Sequence, residues 1–247
     1  MKTQTLFAIS ALLLSSCSSS QDLQGILNTA GQVLNSGASG NGLSNDDVVA
    51  GLKQALEVGT RRAVDQGGAE DGFWNNAAIR IPFPPEAIKV KNTLTDLGIK
   101  KPVEDFEHTL NNAAETAVLE AVPIFVDAIT GMSIQDGSNI LNGGEHAATE
   151  FLRQRTTEAL VAKFGPTVRE ATRKVALTSY WTPVANAYNT ATLLTGGGTV
   201  DPDLDAYVTN KAIDGLFTLL ADEERKIRED PLARTTELLQ RVFGRTQ

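Results

Sequence analysis

The sequence predicts an all-α protein, a single multi-helix domain with one short extended, proline-rich segment near residues 78–85. Three observations predict it. Successive windows carry apolar residues three and four apart, the spacing that gathers them on one helical face. Glycines, prolines and Asp-Pro steps stand between these windows, where helices stop and start. No internal repeat of about 20–50 residues is present, so a solenoid is not expected.

Residues 1–16 are expected to be a signal peptide. Lys2 supplies the positive start, residues 6–14 (LFAISALLL) the short apolar run, and Ser15 and Ser16 the small residues before a cut. The run is too short for a transmembrane helix, which takes about 20 residues. Leu14-Ser15-Ser16-Cys17 resembles the lipobox of bacterial lipoproteins. The resemblance implies lipidation of Cys17, with cleavage before it, and three acyl chains holding the protein at a membrane. One chain alone binds reversibly, at about 0.8 kcal/mol per buried methylene. The alternative is a plain secretory signal with an incidental cysteine. Cys17 is the only cysteine, so it cannot form an intramolecular disulfide. Ser18 after it implies, in a Gram-negative envelope, transfer to the outer membrane. The expected location is therefore exported and membrane-anchored, on the periplasmic face.

Residues 17–42 form the expected lipidated tether. Leu23, Ile26, Leu27, Ala30, Val33 and Leu34 mark an amphipathic helix, and NSGASGNG at 35–42 a flexible linker. As a coil those linker residues span about 15 Å.

Residues 43–247 are expected to be the helical domain. Ser44 is a predicted N-cap, with Asp46 and Asp47 in the first turn of a helix reaching about residue 66. The extended segment follows, because three prolines within 82–85 exclude a helix. A helix over 85–97 ends at Gly98, and Pro102 suits the first turn of the next. That helix presents Val103, Phe106, Leu110, Ala113, Ala114 and Ala117; Pro123 should kink or split it, and Gly131 end it. A short helix is predicted over 133–141 and another over 145–164, with a new one starting at Gly165-Pro166 and interrupted at Pro183. Further helices are predicted at 184–194, from Asp203 to about 228, and after Asp230-Pro231.

Charge narrows the function. The chain carries −8 with a pI near 4.9, and from Cys17 onward −9, because Lys2 is the only charge before it. Nucleic acid is not an expected partner, since phosphate binding needs a basic patch. Adsorption to anionic lipid is disfavoured for the same reason.

No motif carries catalysis. Asp201-Pro202-Asp203-Leu204-Asp205 resembles the start of a calcium loop, but alanines stand where Gly and Glu belong. A helix N-terminus is the better reading. His146 and Glu150 sit one turn apart, but zinc usually takes three protein ligands and no His-Glu-x-x-His occurs. Gly196-Gly197-Gly198 lacks the Lys-Ser/Thr of a phosphate loop, and no Gly-x-Ser-x-Gly elbow is present. No metal, cofactor or catalytic residue is assigned. Glu224 and Arg228, one turn apart in the mixed charge run 223–230, read as a solvated helix end, with Arg225 or Arg228 reaching a carboxylate elsewhere as the alternative. Trp74 and Trp181 would line a ligand groove if they converge, though gap-filling between helices is the plainer role. Arg80, between Ile79 and Ile81, needs a partner or water. The candidate ligand or partner residues are therefore Trp74, Arg80, Asp136, Glu145, Trp181, Glu224 and Arg228.

Three stretches together resemble a known family: IRIPFPPE at 79–86, GMSIQDGSNILNGGEHAATEFL at 131–152, and YVTNKAIDGLFTLLADEERKIREDPLARTTELLQRVFG at 207–244. They are similar to a bacterial envelope family catalogued as domain of unknown function 4197. The resemblance covers about 43–244 and implies an all-helical exported protein, with no activity attached.

The leading expectation is a non-enzymatic, membrane-anchored module that binds or scaffolds an envelope protein partner or an apolar ligand. The rival is a hydrolase-type enzyme using Asp127, Asp136, Glu145 or Glu224 in a cleft. A purely structural spacer is the third reading.

Overall fold

A computed structural model of the chain describes residues 44–85, 88–98, 100–174 and 203–229, with isolated helical positions at Trp181, Asn186, Asn189 and Thr190. The signal peptide, Cys17, the tether, the interruption expected at Pro183, most of the helix expected at 184–194 and the one expected after Pro231 lie outside the described residues.

Helix α1 spans Asn45–Gly67. It opens on the predicted cap: Ser44 accepts from the Asp47 N–H, and the Asp47 carboxylate accepts from the Ser44 N–H. Two orphan donors are thereby satisfied reciprocally. After α2 (Ile88–Asp96) the chain reverses at Gly98, whose φ of +82° is one that glycine adopts without penalty. Helix α3 covers Lys100–Val118, so Pro102 sits in its first turn, two residues later than a first-position proline. The break before α4 (Ala121–Thr130) falls at Leu119 and Glu120, and Pro123 stands inside the first turn of α4 rather than kinking a longer helix. There its missing N–H has no carbonyl to lose. Helix α5 (Ile134–Leu141) repeats the Ser–Asp cap through Ser133 and Asp136.

The largest departure from expectation is α6. It runs unbroken over Ala147–Thr172, straight through Pro166. The carbonyl that Pro166 cannot serve belongs to Ala162, which is exposed and can take water. Glu120 also clamps both sides of the proline, accepting from Lys163 at 2.8 Å and from the Thr167 hydroxyl at 2.5 Å. Those bonds, Lys163 first, hold the Glu120 carboxyl below its usual range. The clamp therefore contributes at neutral pH and is lost as pH falls through that lowered value. Helix α7 (Leu204–Glu229) starts under Asp203, which accepts the N–H groups of Asp205 and Ala206.

Helices α6 and α7 form the central pair, with α1 against α7 and α3 against both. Phe125 of α4 meets Phe217 of α7 edge to face, with centroids 5.8 Å apart. Among the described residues there is no strand, and no helix is long and apolar enough to cross a membrane.

The residues after α1 fold back over the bundle and bury Phe73, Ile79, Ile81 and Phe83. Gly215 of α7 makes room for them. A Cβ there would lie 2.6 Å from Phe73 Cε1 and 3.2 Å from Ile79 Cβ. Helix propensity alone favours Gly215→Ala by about 1 kcal/mol. Phe73 is fully buried and cannot swing aside, so the steric cost wins. Gly215→Ala is expected to destabilise by about 1–3 kcal/mol in thermal unfolding; an unchanged or higher Tm would show that Phe73 can move.

Candidate functional site

The segment from Phe73 to Phe83 has no strand beside it, yet its backbone is hydrogen-bonded in order. Glu115 accepts from Phe73 and Trp74 N–H at 3.0 and 3.2 Å. Asn111 accepts from Ile81 N–H at 2.8 Å and donates to Ile81 C=O at 2.9 Å. Glu107 accepts from Phe83 N–H at 3.0 Å. Three side chains four residues apart on α3 thus do what a neighbouring strand would do. This polar stripe was missed from the sequence. Its signal was there: Glu107, Asn111 and Glu115 recur one turn apart beside the apolar face of α3.

That pairing sets the wall of a cleft of about 310 Å³ between the segment, α2 and the first turns of α3. Trp74, Arg80, Lys91, Thr95, Lys100, Val103, Glu104 and Glu107 line it. The Arg80 guanidinium lies 3.5 Å from the centroid of Trp74. The aromatic face is thus the partner that the exposed Arg80 needed. Trp74 is steadied by an edge contact with His108, whose Nε2 is 2.8 Å from Asp71 Oδ1. Asp71 has a φ of +58°, a backbone state that Asp tolerates better than most residues. The other His108 nitrogen faces the Asn112 amide at 3.3 Å. Both ring nitrogens of His108 are thus engaged. Lys91 bonds Glu107 at 2.6 Å.

Of the seven candidates, the cleft unites only Trp74 and Arg80. Trp181 is buried and does not line it, and among the described residues its indole N–H has no partner. Asp136 caps α5; the Ser133 N–H, then its hydroxyl, hold its carboxyl below the usual range. Glu145 is exposed in the turn before α6.

Glu224 and Arg228 are not a solvated helix end. Glu224 is buried and accepts from Ala148 N–H at 3.1 Å, and from Thr149 N–H and Oγ1 at 2.8 Å each. Arg228 donates to Glu224 at 2.8 Å and to the Ile140 carbonyl at 3.1 Å. Residue 146, the α6 N-cap, is a histidine that makes no side-chain cap bond. A carboxylate from α7 serves that helix start instead. The pair borders an apolar groove of only about 20 Å³, too small for a ligand.

Asp203 is consumed as a helix cap. Asp205 accepts from Thr172 at 2.5 Å and from Arg169 at 3.4 Å. Among the described residues no three His, Cys, Asp or Glu side chains are grouped to hold a metal.

No curated protein and no solved structure matches the chain. The family described as protein of unknown function (DUF4197) matches residues 42–244, and the chain belongs to that family.

Proposed function

We propose that this is an exported lipoprotein of a bacterial envelope, held at a membrane through lipid on Cys17, whose helical body binds a ligand or an envelope protein without transforming it. One observation carries the binding reading. The buried carboxylates Glu107, Glu115 and Glu224 are committed to the protein's own backbone N–H groups. At the cleft, by contrast, Arg80 and Lys100 have no carboxylate partner among the described residues. An enzyme of the hydrolase type would need a pair of carboxylates left available in the cleft. Among the described residues Glu104 and Glu107 line it, and Glu107 is committed to Lys91 and to Phe83 N–H, which leaves Glu104 without a second carboxylate to work with. Asp136 of the rival set is a helix cap, and Asp127 and Glu145 are exposed.

The order of charge, short apolar run and Leu-Ser-Ser-Cys supports the anchor. Cys17→Ser is expected to move the protein from the membrane pellet to the soluble fraction; retention in the pellet would defeat the anchor. For binding, the test is co-purification from native membranes, with mass spectrometry of bound proteins and lipids. A species held by the natural chain and lost with Arg80→Gln is the expected result. Reproducible turnover by the purified protein, abolished by one polar substitution, would overturn the reading.

A further inference from the structure

We infer that the cleft beside Trp74 binds the oxyanion of a small organic molecule, a singly charged group with two acceptor oxygens such as a phosphodiester or carboxylate. The inference rests on the binding reading of this cleft and names the chemistry of its ligand.

Charge is the first argument. The chain as a whole is acidic at −8. The cleft runs against that trend: among the described residues that line it, Arg80, Lys91 and Lys100 stand with Glu104 and Glu107, an excess of one positive charge. The first turn of α3 also lines the cleft, through Lys100, Val103 and Glu104. A helix start adds the equivalent of about half a positive charge. One monoanion neutralises such a site, whereas a second negative charge would meet Glu104 and Glu107.

Geometry is the second. A guanidinium stacked 3.5 Å above an indole keeps its N–H groups around its rim, available to acceptors in its plane. The stack is held from below. Trp74 N–H is bonded to Glu115, Arg80 N–H to the Asn76 carbonyl at 2.8 Å, and the next residue, Ile81, to Asn111 on both its polar groups. Arg80 is therefore a preorganised fork, which carboxylates and phosphates engage in a bidentate way. Lys91, steered by Glu107, keeps further donors on the same wall. The volume of about 310 Å³ lies at the small-molecule end of ligand sites.

Among the described residues Val103 is the one aliphatic side chain of the lining, and the Trp74 indole is its aromatic surface.

The test is calorimetric titration of the full chain in a neutral detergent with diethyl phosphate, with butyrate, and with tetramethylammonium as the cationic control. Saturable binding of at least one anion is expected, roughly millimolar for probes this small. Arg80→Gln and Lys100→Gln should each weaken it by about tenfold, as loss of a charge-assisted bond does. Arg80→Lys should weaken it too, because it keeps the charge and loses the fork. Lys101→Gln is the control; Lys101 pairs with Asp105 and does not line the cleft. The tighter of the two anions assigns the oxyanion. No saturable binding of either anion, or equal weakening by Lys101→Gln, would overturn the inference. Native co-purification that still depends on Arg80 would in that case leave the binding reading standing.

Discussion

Glu224→Ala is expected to lower the stability of the body by about 3–5 kcal/mol, the cost of removing one partner from a buried ion pair. The size follows from what the carboxylate holds. Its two oxygens accept from Ala148 N–H, Thr149 N–H, the Thr149 hydroxyl and Arg228. Ala148 and Thr149 are buried, so water cannot replace the lost acceptor freely. Arg228 would lose its carboxylate partner and keep its bond to the Ile140 C=O. Urea unfolding followed by circular dichroism measures the loss. A double-variant cycle sharpens it: Arg228→Ala should cost far less once Glu224 is already alanine, because the charge it neutralised is gone. A loss below about 1 kcal/mol for Glu224→Ala, the range of exposed pairs, would mean the pair is solvated after all.

The same residues show how far the sequence could be read. Spacing revealed that Glu224 and Arg228 meet on one face of α7, because that contact is local. It could not reveal that the face is turned toward the start of α6, about 75 residues away in sequence. Local signals held elsewhere. Ser44 caps α1 and Gly98 takes the left-handed turn because each decision rests on a few neighbouring bonds. The proline rule failed at Pro166 for the opposite reason: a distant carboxylate, Glu120, grips both flanks of the helix, and the orphaned carbonyl faces water. At the candidate site, Arg80 and Trp74 were legible as an oddly placed charge and an aromatic outside the helical stripes. Lys91, Lys100 and Thr95 were not, because they look like ordinary surface residues until the reversal at Gly98 brings α2 back beside α3.

The cleft itself depends on α3, and Asn111→Leu is the variant that should show it. Leucine has a similar branched shape but neither a donor nor an acceptor. The substitution would strip Ile81 of the partner for its N–H and its C=O, both bonded to the fully buried Asn111 amide. At about 1–3 kcal/mol for each buried backbone group left unpaired, less what leucine gains by burial, a loss of about 3–4 kcal/mol is expected in urea unfolding. Asn111→Asp should also destabilise, since it keeps an acceptor for the N–H, removes the donor to the carbonyl and buries a charge. The consequence for the site is separate and readable. Arg80 precedes Ile81, so freeing that backbone lets the guanidinium leave Trp74 and lose its fixed orientation. Oxyanion affinity should therefore fall with Asn111→Leu even where the protein remains folded. Gly215→Ala, which strains the apolar side of the same segment through Phe73, provides the comparison. If Asn111→Leu proved as stable as the natural chain, Phe73, Ile79, Ile81 and Phe83 would hold the segment by burial alone. The polar stripe on α3 would then set register without adding stability.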